Sequence, residues 1–240
     1  MTIDVRSRER DAAAIPLWND AYDVSQLGEH ANLWGDPPVP YAETAARLFA
    51  EHKASVVLDL PCGDGRNLPP LAAGAPILLA GDTAINGMRI AERVAQRAGV
   101  RDRIVFLEMD AFATGLLDSS VDGIFCWDLL GHLTAPEGAL REMYRILRPG
   151  GHIVANMWTM NDCQTSDPDI REVAPKEYID HADFYCRFYD QQDLTELLDS
   201  VGLTAASVEV VAWREPAHAG YRNYEHDHES LAFTIRKPAA

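Results

Sequence analysis

Residues 55–67, SVVLDLPCGDGRN, constrain the fold of this chain more than any other stretch. Val56, Val57 and Leu58 form a short apolar, β-branched run, the pattern of a strand buried on both faces of a parallel sheet. Asp59 closes the strand. Pro61, Gly63 and Gly65 then supply a tight turn, and Arg66 to Ala73 are expected to begin a helix. A strand, a glycine turn and a helix together bring backbone N–H groups close to a ligand at the strand's carboxyl end. Asp59 is expected to order the turn by accepting N–H bonds, and the bare Gly63 and Gly65 let a ligand approach. The same pattern also serves as a purely structural turn, so this stretch alone does not separate the two readings.

The spacing discriminates among cofactors. A dinucleotide fingerprint needs G-x-G-x-x-G, but Leu68 stands three positions after Gly65 and Pro61 two before Gly63. The phosphate loop G-x-x-x-x-G-K-[ST] is missing as well, which disfavours NAD and ATP. Asp59, Cys62, Gly63 and Gly65 instead make a D-x-x-C-G-x-G arrangement. It resembles motif I of the class I S-adenosylmethionine-dependent methyltransferases, where the turn lies beneath the methionine part of the cofactor. The resemblance extends over residues 41–160 and more loosely over the last fifty. Pro61 stands where the family usually has glycine; it removes one N–H donor and fixes φ.

The chain around this motif alternates as a doubly wound α/β protein does. Tyr41 to His52 reads as an amphipathic helix, 76–82 as a second strand, Asn86 to Ala98 as a helix, and 103–109 as a third strand. Val121 to Trp127 is the fourth strand. Thr134 to Glu137 has capping-box spacing before a helix with the stripe Leu140, Met143, Tyr144 and Leu147. Leu147-Arg148-Pro149-Gly150-Gly151 feeds a fifth strand, His152 to Trp158, and this L-x-P-G-G turn is a landmark of the same family. After a helix at Asp193 to Val201, Leu203 to Trp213 and Ser230 to Lys237 alternate as a last, antiparallel pair. The expected fold is one α/β domain: a doubly wound, mostly parallel seven-stranded sheet, Rossmann-like, with helices on both faces.

Candidate site residues follow the strand ends. Asp82, about twenty positions beyond the turn, is placed to accept from ribose hydroxyls, with a helix N-terminal role as the alternative. The resemblance implies that S-adenosylmethionine, giving S-adenosylhomocysteine as product, is held by Trp34, Asp59, Pro61, Gly63, Asp64, Gly65, Asn67, Asp82, Thr83, Asp110, Ala111 and Trp127. Phe112 packs near the base or fills the core. Asp128 and His132 are the ionisable groups at the fourth strand's end, beside the switch point of the sheet. They are the catalytic candidates; a histidine bonded to backbone in a fixed loop is the alternative.

Two segments lie outside the alternation. Residues 1–40 carry Ile15, Leu17, Trp18, Tyr22 and Val24 at helical spacing, then a proline-rich connector with Leu33-Trp34-Gly35, and read as an N-terminal helical cap. Residues 159–187, with Pro168 and Pro175, are expected as an insertion over the acceptor. Acceptor contacts are assigned to Trp18, Tyr22, Trp158, Tyr178, His181 and Tyr185. Pro216 to Glu229, with Tyr221, Tyr224, His226 and His228, reads as a loop at the sheet's far edge. His226 and His228 share a strand face, but a third metal ligand would have to come from elsewhere, so no metal is expected.

The charge limits the partners. Across 240 residues the formal net charge is −16, a field that repels nucleic acids and anionic membranes, and there is no basic run. Four scattered cysteines without C-x-x-C spacing, and no apolar signal or membrane-length stretch, read as reduced thiols in a cytoplasmic protein, with a homodimer compatible. The expected activity is methyl transfer to a small-molecule acceptor by direct displacement. The rivals are an NAD-dependent oxidoreductase and a non-catalytic S-adenosylmethionine-binding protein.

Overall fold

The computed structural model describes residues 5–23, 33–34, 37–167, 169–218, 222 and 224–239. Of the residues read above, Val24, Gly35, Pro168 and Tyr221 lie outside these. Helices α1 (Val5–Ala21) and α2 (Pro40–Glu51) precede the alternating body. That body runs β1 (Val56–Asp59), α3 (Leu68–Gly74), β2 (Ile77–Asp82), α4 (Ile85–Arg97), β3 (Ile104–Glu108), β4 (Val121–Cys126), α5 (Pro136–Ile146) and β5 (Leu147–Trp158). Three short strands, β6 (Arg171–Ala174), β7 (Glu177–Ile179) and β8 (Tyr185–Arg187), come next. Then follow α6 (Gln191–Ser200), β9 (Ala205–Glu215) and β10 (His226–Arg236).

Seven strands form one sheet in the order β3-β2-β1-β4-β5-β10-β9. The first five are parallel, while β10 runs antiparallel to both β5 and β9. This is the doubly wound, mostly parallel sheet that the sequence predicts. Successive residues of the central strands serve opposite cores, as a strand's twofold alternation requires. Leu58, Ile124 and Ile153 pack with Leu140 and Met143 on one face. Their neighbours Val57, Phe125 and Val154 pack with Phe49 and Leu71 on the other. Each fully buried side chain of this size contributes about 1.5–3 kcal/mol. Because the strand order reverses between β1 and β4, their carboxyl ends flank a crevice, where doubly wound sheets bind ligands.

Several expectations need correction. The helix after the glycine turn begins at Leu68, two residues later than expected. The capping box at Thr134 does not form: the N-cap is Ala135 and its side chain caps nothing. The Thr134 N–H and hydroxyl instead both donate to Asp11 Oδ1, so this residue ties α1 to the loop before α5. Residues 159–187, expected as an insertion, carry the three-stranded sheet β6-β7-β8. The segment between β9 and β10 is not remote from the crevice. As β10 runs against β5, with Ser230 opposite Trp158, its first residues lie at the carboxyl end of the parallel strands.

Candidate active site

The first wall of the crevice is the turn after β1. Gly63 has φ +50°, and a Cβ there would sit 2.9 Å from the Tyr22 hydroxyl, so only glycine fits without strain. The Leu60–Pro61 bond is cis. Asp82, at the end of β2, orders the turn: Oδ2 accepts from the Gly63 N–H and Oδ1 from the Ala84 N–H, both at 2.8 Å. Each oxygen keeps a lone pair, and Asp82 lines the crevice. Burial raises its pKa against those two backbone bonds.

Asp59, expected to order the turn, does not. Both of its carboxylate oxygens are buried without a hydrogen-bond partner among the described residues. Burial, with the Asp82 charge adding to it, pushes its pKa well up. Gly65 also stays out of the crevice wall: a Cβ there would meet Ala91 Cα at 2.6 Å, so this glycine lets α4 pack on the turn. Asp64 Oδ2 accepts from the Trp34 N–H at 2.9 Å, and Trp34 Nε1 donates to the Tyr22 hydroxyl at 2.9 Å. Asn67 Oδ1 holds the Val39 N–H at 3.0 Å. These bonds pin Trp34 and Tyr22 over the turn.

The second wall is the end of β4. His132 ends a short 3₁₀ turn, Leu130–His132, and its Nδ1 lies 2.8 Å from the Tyr185 carbonyl. A carbonyl only accepts, so Nδ1 carries the proton and Nε2 presents a lone pair. Trp18 and Trp158 stand edge-on to the imidazole, with ring centroids at 4.9 and 4.6 Å. Burial lowers its pKa, against the Tyr185 bond and the Asp180 charge. Asp128 is differently placed from a free base: Oδ1 accepts from Asn156 Nδ2 at 2.7 Å and Trp158 Nε1 at 2.9 Å. Its Oδ2 faces the Arg66 guanidinium at 3.8 Å. It positions Trp158 and offers no free oxygen comparable to His132 Nε2.

The third wall is the β9–β10 hairpin, the part that sequence reasoning missed. Glu215 and His226 pair directly across it. Glu215, Arg222, His226 and His228 all line the crevice. Glu215 Oε1 accepts from Arg66 at 2.7 Å and from Trp213 Nε1 at 2.8 Å, joining this wall to the glycine turn. His228 Nδ1 lies 2.9 Å from Asp162 Oδ2. Burial works against its charge, but Asp162 and Cys163 hold its pKa up at about 10.

The crevice brings together most of the expected residues. Trp18, Tyr22, Trp34, Pro61, Gly63, Asp64, Asn67, Asp82, Thr83, Asp110, Ala111, Trp127, Asp128, His132 and Trp158 line it. Tyr178, His181 and Tyr185 do not: Tyr178 packs on Phe188 with centroids 5.4 Å apart, His181 is exposed, and Tyr185 reaches His132 only through its backbone. Phe184 stacks on Trp18 at 3.9 Å, behind the crevice lining. Asp11, Met109, Arg66 and Gln164 join the wall unforeseen.

Residues 58–155 match the family model described as a methyltransferase domain. Methyltransferase GfsG of Streptomyces halstedii is 28% identical over 190 residues, 71% of this chain and 67% of that protein. The 27-O-demethylrifamycin SV methyltransferase of Amycolatopsis mediterranei is 28% identical over 138 residues, 52% of this chain and 48% of that one. The chain thus spans about two thirds of the first relative's length and about half of the second's. Among solved structures, the 1,6-didemethyltoxoflavin-N1-methyltransferase of Burkholderia thailandensis superposes with a TM-score of 0.61 at 21% identity. The match covers 99% of this chain and 92% of that one. The glycine turn and Asp82 lie at strand ends within the residues that match the methyltransferase-domain model, and the Burkholderia enzyme shares the fold of the chain.

Proposed function

We propose that this chain methylates a small-molecule acceptor held in the crevice between the glycine turn and the His132 wall. One observation carries the reading: a single crevice is lined both by the Gly63–Asp82 cradle and by His132, whose Nε2 bears a lone pair. When bound, S-adenosylmethionine supplies a methyl group already attached to a good leaving group, a positively charged sulfonium. The residues fit such a cation, since Asp64, Asp82, Asp110 and Asp128 line the crevice. Gly63 leaves the space a side chain would fill, and the spare lone pairs of Asp82 suit ribose hydroxyls.

The chain's own work is to align the acceptor, exclude water and accept a proton. Trp18, Phe184 and Trp158 enclose the His132 ring and keep its surroundings apolar. Nε2 takes the proton of a hydroxyl or protonated amine, and the Tyr185 carbonyl fixes the ring and its tautomer. Asp128 acts through Trp158 as a positioning residue. The relatives support a small acceptor: one is a 27-O-demethylrifamycin SV methyltransferase, and the Burkholderia enzyme was crystallised with 1,6-didemethyltoxoflavin and S-adenosylhomocysteine. The net charge of −16 and four free cysteines support a cytoplasmic role without a nucleic-acid partner. No helix of the described residues is long and apolar enough to cross a membrane.

Calorimetric titration with S-adenosylhomocysteine, beside a parallel cell with NAD, tests the cofactor. Micromolar binding of the first and none of the second is expected; the reverse overturns the reading. Incubation with S-adenosylmethionine and a panel of hydroxylated, aminated and thiol-bearing small molecules should then yield a product heavier by one methylene.

A further inference from the structure

We propose that Glu215, His218 and His226 form a binding site for one divalent transition-metal ion, of the zinc and cobalt kind, in the hairpin wall of the crevice. The β9–β10 register puts Glu215 opposite His226, and His218 follows three residues after Glu215. One ligand atom from each of the three lies within 4.8 Å of the others, and all three residues are buried. Bound metal would draw these atoms together by a fraction of that distance.

The hydrogen bonds leave His226 in the state a metal needs. His226 Nδ1 lies 2.9 Å from the Tyr224 carbonyl, an acceptor only, so Nδ1 carries the proton and Nε2 the lone pair. His226 Nε2 is buried and has no hydrogen-bond partner among the described residues. His218 turns Nε2 towards Glu215 Oε2 at 2.8 Å, so Nε2 is its ligand atom; an ion there takes the place of the shared proton, and the ring proton moves to Nδ1. Fixing one imidazole nitrogen by a carbonyl so that the other faces a metal is the usual outer support of a metal-bound histidine. An orphaned buried acceptor costs free energy that a bound cation removes.

The donor set selects the metal. Imidazole with carboxylate suits zinc, cobalt and nickel better than magnesium or calcium, which prefer oxygen ligands. Cys163 and His228 stand on the other side of His226, with one ligand atom of each of these three also within 4.8 Å. Glu215 Oε1 is already held by Arg66 and Trp213, so the carboxylate offers the metal the remaining lone pair of Oε2. Glu215 and His226 line the crevice, so an ion held there is within reach of a small molecule bound in it. Resting on the methyltransferase reading, such an ion would bind the acceptor through an oxygen or nitrogen.

The test uses the full chain, freed of metal with a chelator, titrated with Co²⁺ and followed by ligand-field absorption. Zn²⁺ competition, thermal melting and S-adenosylhomocysteine calorimetry are run on the same samples. One Co²⁺ per chain, displaced by Zn²⁺, is expected. His218→Ala and His226→Ala should each weaken metal binding by about tenfold or more while cofactor-product affinity stays unchanged. Should His226→Ala fail to fold, His226→Gln gives the same comparison. Absence of both a cobalt spectrum and a zinc-dependent melting shift in the wild type overturns the site. So does loss of binding in Cys163→Ser with retention in His218→Ala. Metal binding without S-adenosylhomocysteine binding would sink the methyltransferase reading and leave the metal site standing.

Discussion

Two walls of one crevice are built on opposite plans. In the glycine-turn wall, backbone N–H groups meet carboxylates: Asp82 has both oxygens engaged by Gly63 and Ala84, and Asp64 takes the Trp34 N–H. In the hairpin wall, side chains meet side chains: Glu215 gathers Arg66, Trp213 and His218, while His218 and His226 each keep a buried nitrogen without a partner. The first plan needs a particular backbone geometry and leaves a motif behind. The second needs only polar residues that a strand register happens to bring together, and leaves none.

The largest expected effect lies in the hairpin wall. Glu215→Ala leaves the Arg66 guanidinium, whose side chain is 10% exposed, without its 2.7 Å partner. Breaking a buried pair from one side costs about 3–5 kcal/mol, and the more distant Asp128 at 3.8 Å offsets little of it. Denaturant unfolding measures this, and a loss under about 1 kcal/mol would mean that the walls are not held together through Arg66. In the glycine-turn wall, Asp82→Ala strands two buried N–H groups, with an expected loss of about 2–4 kcal/mol. It should also weaken S-adenosylhomocysteine binding, and unchanged affinity would remove Asp82 from the cofactor site.

His132 belongs to neither wall, and its effect is kinetic. His132→Asn should lower kcat about 100-fold, with cofactor affinity retained. Because burial lowers the imidazole pKa, the wild-type rate should rise with pH through a value below about 6.5 and be flat at neutrality. An acid limb above that value, or the same limb in the variant, would deprive His132 of the proton-accepting role.

The parallel half of the fold was legible because its signals are local. The apolar runs at Val56–Leu58 and Ile124–Cys126 have the pattern of buried strands, and the positive φ at Gly63 demands the residue found there. The hairpin wall was misread as remote, although topology contains the answer. Any strand pairing antiparallel to β5 starts at the carboxyl edge of the sheet, so His226 had to face the crevice. The inserted aromatics failed for a different reason. β7 and β8 alternate, and which face of a three-residue strand meets the site depends on packing against Trp158 and Phe188, not on composition. Thr134 had the spacing of a cap, but Asp11, 123 residues earlier, took its hydrogen bonds.

A pH-dependent effect makes the sharpest contrast, because it sets Asp59 against Asp82 within one turn. Motif spacing gives both carboxylates the same importance, yet only Asp82 accepts the turn's N–H bonds, and Asp59 has no partner for either oxygen. Burial first, and the Asp82 charge second, raise the folded-state pKa of Asp59 well above its ordinary value. The folded chain therefore keeps a proton there that the unfolded chain releases above about pH 4. Stability contributed by this group is complete below that pH and is lost as pH rises towards the raised folded value. Asp59→Asn carries no such charge and removes the loss. The variant should match the wild type within about 1 kcal/mol near pH 4 and exceed it increasingly towards pH 8. Denaturant midpoints at the two pH values decide it. A variant less stable than wild type at pH 8 would mean that the Asp59 carboxylate is ionised and held in the fold, and the two acids of the turn would then be equivalent after all.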